Sequence, residues 1–298
     1  MTSVPRIVVV TRPTDFEGLM ARHGTREMAR FFLRQRDQSL DEVEARHRAF
    51  EAVLLRVSQA IPTRWRRSRI GRADLSRFVF EPSDVVVAVG QDGLVPNVAK
   101  YLDGQQVVGI NPDPKAHDGV LVRHGPDGAE DAIRSAAERR AAIELRTMVE
   151  ARLDDGQRLL SLNEVFLGHR THQSARYRVS AGGATERHSS SGVVVATGTG
   201  ASGWARSIHR ERHSALVLPA ATEPSVAFFV REAFPSKATG TSLTEGRVGE
   251  GEPFVVTSEM GDGGVVFGDG IEDDRLAFGW GIRARVGVAR EKLALVVP

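Results

Sequence analysis

Val85-Val-Val-Ala-Val-Gly-Gln-Asp-Gly-Leu94, continued by Val95-Pro-Asn-Val-Ala-Lys-Tyr-Leu102, is the stretch that decides the fold. Val85 to Val89 is a short β-branched run, the profile of a strand buried on both faces. Leu94, Val98, Ala99 and Leu102 recur at helical spacing, with Pro96 in the first turn, where a missing N–H costs little. Gln106-Val-Val-Gly-Ile110 reads as a second strand. The spacing predicts a β-loop-α-β unit whose loop is Gly90-Gln91-Asp92-Gly93. Backbone N–H groups at such a strand-to-helix junction suit a phosphate, and glycine permits close approach. Asp92 does not fit a phosphate cradle, because a carboxylate repels phosphate. It must accept a proton, serve a metal, or simply form the turn.

Outward from this unit, Arg6-Ile-Val-Val-Val-Thr11 is a first strand, and Thr14-Asp15 can cap the helix after it. A further helix opens at Ser39 with Glu42 at the capping-box position and stops at Ile61-Pro62. Arg64-Trp-Arg-Arg-Ser-Arg69 is a dense basic run, read as a solvated face rather than a nucleic-acid contact. Asn111-Pro-Asp-Pro114 follows a parallel strand, where open α/β sheets place ligands. Ala129 to Ala142 reads as helix. From about residue 143 the texture changes to alternation, with strands expected at Leu159–Phe166, Arg176–Ser180, Val193–Ala196, Leu216–Leu218, Val226–Val230, Phe254–Thr257, Val265–Phe267, Ile282–Val288 and Leu293–Val297. The expected fold is an α/β N-terminal domain with a Rossmann-like open parallel sheet, then a mostly antiparallel β-sandwich domain. The expected boundaries are 1–126, 127–280, and a segment 281–298 returning to the first domain.

Composition narrows the function classes. The chain has 298 residues, 41% of them hydrophobic, a net charge of +2 and no cysteine. Thiol chemistry and disulfides are excluded, and the charge is not that of a nucleic-acid-coating protein. No apolar run approaches the roughly 20 residues of a membrane span. Without a signal-like start, the cytoplasm is the expected compartment. There is no P-loop, no Gly-x-Gly-x-x-Gly after the first strand and no Gly-x-Ser-x-Gly elbow. His169 and His172 read as surface histidines without further metal ligands nearby.

Two further stretches stand out. In Leu162-Asn163-Glu164-Val165 a polar pair interrupts an apolar run, and burying it without partners is costly. In Ser190-Ser-Gly-Val-Val-Val-Ala-Thr-Gly-Thr-Gly-Ala-Ser-Gly-Trp204 a strand ends in a loop of small residues closed by tryptophan, which is either a pocket wall or a hairpin with a core aromatic.

Together the three stretches resemble the NAD kinase family, which carries Gly-Gly-Asp-Gly-Thr, Asn-Glu and Thr-Pro-Thr-Gly-Ser-Thr-Ala-Tyr in this order. The Ser-Ser-Gly entry and the Thr-Gly-Thr-Gly…Trp form are most similar to the branch that includes the animal mitochondrial enzyme. The resemblance implies transfer of a phosphoryl group from ATP to the 2′-hydroxyl of the NAD adenosine ribose, with Mg²⁺ carried by ATP rather than by a protein metal site. It implies Asp92 as the base and Gly90, Gln91, Gly93 and Asn111 on the ATP phosphates. Asn163, Glu164, Thr199, Ser202, Gly203 and Trp204 would bind NAD. A homodimer or homotetramer is expected, with no nucleic acid or membrane partner. Gln91 and Leu94 replace the family's second glycine and threonine, both on the donor side. Two alternatives stand beside an NAD kinase: a non-catalytic NAD- or NADP-binding protein with a degenerate donor site, which Gln91 and Leu94 favour, and a lipid kinase of the diacylglycerol or sphingosine type, a group that shares the Gly-Asp-Gly-Thr loop.

Overall fold

The computed structural model describes residues 5–252 and 254–298. The chain forms two compact units, Met1–Glu144 with Ala294–Pro298, and Leu145–Leu293. The expected boundaries fall earlier in the chain. The difference lies in the helix after residue 126, whose Ala129, Ala132, Ile133 and Ala136 belong to the core of the first unit.

The first unit runs β1 (Arg6–Thr11), α1 (Asp15–His23), α2 (Arg26–Arg34), α3 (Leu40–Ala60), β2 (Arg66–Gly71), β3 (Val85–Val89), α4 (Leu94–Ala99), β4 (Gln106–Ile110) and α5 (Ala129–Ala137). Its strands are parallel in the order β2-β1-β3-β4. Ala294 and Leu295 of the last strand add on beside β4, again in parallel. Every residue of β3 is buried, as its valine-rich run requires. Val53, Leu54 and Val57 of α3 and the apolar face of α5 cover one side of this sheet. α1 opens with the capping box of Thr14 and Glu17, whereas Ser39 stands at the N-cap of α3 with no side-chain bond. The basic run at 64–69 is largely β2, which lies beside β1 at the sheet edge, where arginine side chains can reach water. α5 ends at Ala137, short of the expected residue 142, and β5 (Ala142–Leu153) begins soon after.

The second unit holds most of β5, then β6 (Arg158–Ser161), β7 (Glu164–His169), β8 (Ala175–Ala181), β9 (Ala184–Ser190), β10 (Val193–Ala196), α6 (Trp204–Glu211), β11 (Ser225–Val230), β12 (Glu245–Gly249), β13 (Val255–Ser258), β14 (Gly264–Gly268), β15 (Ile271–Ala277) and the first part of β16 (Arg283–Val297). One sheet is antiparallel in the order β12-β11-β10-β7-β14-β15. Facing it are β9, β8, β13 and the start of β16, with β5 and β6. Val165, Leu167, Val195, Phe228 and Val266 of the first sheet meet Val149, Tyr177, Val179, Val256 and Val286 of the second in one core. Alternate residues such as Phe166, Val194 and Phe229 point the other way, where Ala205 and Ile208 of α6 cover them. This is the expected antiparallel sandwich.

Four further expectations on elements change. Leu159–Phe166 is two strands broken at Leu162-Asn163, and Ile282–Val288 with Leu293–Val297 is one strand. Leu216–Leu218 is not a strand; Leu216 and Leu218 instead pack on the cluster beneath α6. Trp204 opens a helix rather than closing a hairpin.

Candidate functional site

In the first unit, β1 leads to β2 on one side while β3 leads to β4 on the other. The carboxyl ends of β1 and β3 therefore flank a topological switch point, the crevice where such sheets take ligands. A cavity of about 360 Å³ opens there, lined by Arg12, Thr14, Gly90, Gln91, Pro112 and His117 among others, with Val43, His47 and Phe50 supplied by α3.

The Gly90–Gly93 loop is tied to the segment 111–122 by the side chains of Asp92 and Gln91, and Asn111 braces that segment from within. The carboxylate of Asp92 accepts backbone N–H bonds from Val120 at 3.0 Å, Leu121 at 2.7 Å and Val122 at 3.0 Å. Asn111 is buried; its amide donates to the His117 carbonyl at 2.9 Å and accepts from the Asp113 N–H at 3.0 Å. Gln91 accepts from the Arg12 guanidinium at 2.7 Å and meets Nε2 of His117 at 3.0 Å. Gly93 is different. It lies in the ordinary helical region (φ −61°, ψ −13°), and no heavy atom stands within 4 Å of where a Cβ would be. The fold itself gives no steric reason for glycine there.

In the second unit the break between β6 and β7 is the organising feature. Asp269, at positive φ (54°) after β14, accepts the N–H groups of Leu162 at 3.0 Å and Asn163 at 2.7 Å. Its own N–H donates to the Glu164 carbonyl at 3.0 Å. Thr197, fully buried, donates its hydroxyl to the Leu162 carbonyl at 2.6 Å and accepts from the N–H groups of Thr199 and Gly200. A Cβ on Gly200 would strike the Asn163 carbonyl, and one on Gly198 the Ala220 carbonyl. These two glycines serve close packing of the chain on itself. Thr199 is buried, and its hydroxyl lies 3.2 Å from an N–H of buried Arg146. Burial, and then the negative charge of Asp269, push the Glu164 carboxyl up to about 7. Near neutrality it thus exists in both forms and can donate or accept a hydrogen bond.

Thus Asn163, Glu164 and Thr199 are drawn together around Thr197 and Asp269. Ser202 and Gly203 are exposed, and the Ser202 hydroxyl bonds the Thr199 carbonyl at 2.8 Å. Trp204 stacks on Phe166 with centroids 5.8 Å apart, and the Arg231 guanidinium lies 5.1 Å from its ring. Trp204 faces a separate cavity of about 520 Å³, together with Ser191, Arg231 and both His169 and His172. His172 is exposed, while only 6% of the His169 side chain is exposed. Arg12, His117, Thr197 and Asp269 were absent from the expected site. Asp269 had a signal in the Gly268-Asp-Gly270 turn, whereas Arg12 and His117 had none, because only tertiary structure brings them to Gln91. Among the described residues, no cluster of three or more His, Asp or Glu can hold a metal ion, and no helix is long and apolar enough to cross a membrane.

No protein-family model and no curated protein sequence matches the chain. The solved structure of yeast NADH kinase complexed with NADH does, over 100% of this chain and 84% of that one, with a TM-score of 0.62 at 13% identity. The two chains share a fold: a parallel-sheet N-terminal unit followed by an antiparallel β unit.

Proposed function

We propose that the protein is an NAD kinase-like phosphotransferase that moves a phosphoryl group from ATP, or another donor, to the 2′-hydroxyl of the NAD adenosine ribose. The observation that carries this reading is the fold shared along the whole chain with a kinase crystallised with NADH, in a protein whose three motif stretches follow the family's order. On this reading Gly90, Gly93 and the neighbouring cavity receive the donor phosphates, with Mg²⁺ arriving on them. Asn163 and Glu164 hold ribose hydroxyls or base edges, and Thr199, Ser202, Gly203 and Trp204 border NAD. Asp92 accepts the hydroxyl proton as the oxygen attacks the terminal phosphorus of the donor, whose bond to the bridging oxygen breaks to release the remainder (ADP from ATP) with the electron pair. A carboxylate offers about four acceptor positions, and three N–H bonds leave one for that proton. The reading carries with it a cytoplasmic homodimer or homotetramer.

The test is incubation with NAD or NADH, ATP and Mg²⁺, followed by chromatography for the 2′-phosphorylated product. No product from either acceptor, with any nucleotide or polyphosphate donor, removes the kinase reading. The engagement of Asp92 by three backbone bonds favours one alternative, a non-catalytic NAD- or NADP-binding protein. Calorimetric binding of NADP without turnover would establish it.

A further inference from the structure

Gln91 stands where a glycine would let phosphates lie against backbone, and its bonds show what replaces that contact. Arginine has no acceptor, so the atom 2.7 Å from the Arg12 guanidinium must be the amide oxygen of Gln91. The NH₂ group then faces Nε2 of His117 at 3.0 Å. That ring nitrogen must accept, which places the proton of the neutral ring on Nδ1. One glutamine therefore sets the direction of a guanidinium and the tautomer of an imidazole. Both groups line the cavity at the carboxyl ends of β1 and β3. His117 is also fixed from behind, by the Asn111 amide on its carbonyl.

We propose that Arg12 and His117, held in place by Gln91, are the phosphate clamp for a nucleoside triphosphate in this cavity; the proposal rests on the phosphotransferase reading. Gln91 is a positioning residue: its amide is spent on the two clamp groups rather than on the ligand. Arg12 binds the amide oxygen through one N–H and has further donors in a planar fork that suits phosphate. Arg46 adds positive charge to the same cavity, and Val43 and Phe50 offer an apolar surface for a base. At about 360 Å³ the cavity lies at the small end of the roughly 300–1,000 Å³ of ligand sites. Asp15 and Asp113 also line it and would repel a bare polyphosphate. The ligand should therefore enter as its magnesium complex.

Calorimetry with Mg·ATP and, separately, magnesium tripolyphosphate tests the clamp in wild type, Arg12→Ala, His117→Ala, Gln91→Ala and Gln91→Glu. Arg12 and His117 are exposed, so the variants should fold, and melting temperature checks this. Arg12→Ala should weaken both probes about 10- to 100-fold, the scale of a lost charge-assisted bond. Gln91→Ala should weaken them less, about 3- to 10-fold, because only orientation is lost. Gln91→Glu should match Arg12→Ala, since its carboxylate would pair with the guanidinium. NAD affinity should not move in any variant. The clamp is overturned if wild type binds neither probe, or if Arg12→Ala and His117→Ala bind Mg·ATP as wild type does. NADP formation that ignores Arg12 would remove the clamp and leave the kinase reading. Arg12-dependent binding of Mg·ATP without NADP formation would do the reverse.

Discussion

Asp92, Gly93 and Glu164 separate what the fold requires from what chemistry requires. Asp92→Asn exchanges a carboxylate that accepts three N–H bonds for an amide with one acceptor oxygen. It should lower stability by about 1–3 kcal/mol, the scale of lost hydrogen bonds to a charged acceptor. If Asp92 is also the base, turnover should fall by about 10²–10⁴-fold. Denaturation and kinetics on the same preparation test the two roles independently, and an unchanged value in either removes that role. Gly93→Ala predicts the opposite pattern. The residue is helical with open space at Cβ, so alanine should be neutral or stabilise by about 0.4–1 kcal/mol through the unfolded state. Mg·ATP affinity should nevertheless drop, and an alanine variant that binds the donor normally would show the space is not used. For Glu164, the folded carboxyl titrates near 7 against an ordinary value of 4.5. Between those pH values the folded state holds a proton that the unfolded state has lost, so stability falls as pH rises across the window and then levels off. Glu164→Gln removes that loss. Its melting temperature should exceed that of wild type by more at pH 8 than at pH 5, and a difference independent of pH would contradict the burial argument.

Elements were legible in the sequence to the extent that burial wrote a period into them. β3 and β4 are buried on both faces and read as largely apolar runs, whereas β5 alternates in sequence but in burial only from Val149 to Leu153, because Arg146 to Val149 are covered on both faces. β2 and β9 carry arginine, glutamate and serine at a sheet edge, where pairing is made by backbone and leaves no apolar pattern. α6 is short, buries only Ala205 and Ile208 and starts at Gly203 without a capping side chain, so no start signal marks it. The site followed the same rule. Glycine, aspartate and Asn-Glu were visible as anomalies within apolar stretches, but their partners across the fold were not. Thr197 is the case to test at this scale, because its hydroxyl joins the β6–β7 break to the turn that leads into α6. Thr197→Val keeps the shape and strips one donor and two acceptor functions from a fully buried position. A loss of about 2–4 kcal/mol in chemical denaturation is expected from the stranded groups. A cost below 0.5 kcal/mol would mean that the turn does not depend on this hydroxyl.

The whole molecule is two compact units, and the first is completed by residues that follow the second. Leu295 is fully buried, pairs with Val107 of β4 and neighbours Val296 of the first unit's core. Leu295→Ala should cost about 2–5 kcal/mol, as large-to-small changes in cores do. Hydrogen exchange should accelerate in β3 and β4 while β10 and β11 keep their protection; uniform acceleration across both would show that the units unfold together. The same connectivity has a consequence for synthesis on the ribosome. β4 has β3 on one side from early in translation, and His124 bridges Ile110 at the end of its other edge, but Gln106 and Val107 on that edge have no partner until residues 294 and 295 emerge, after all of residues 145–293 have been made. A partly uncovered apolar strand is a template for pairing with a neighbouring chain. The nascent first unit thus carries an apolar edge that only the end of the chain covers.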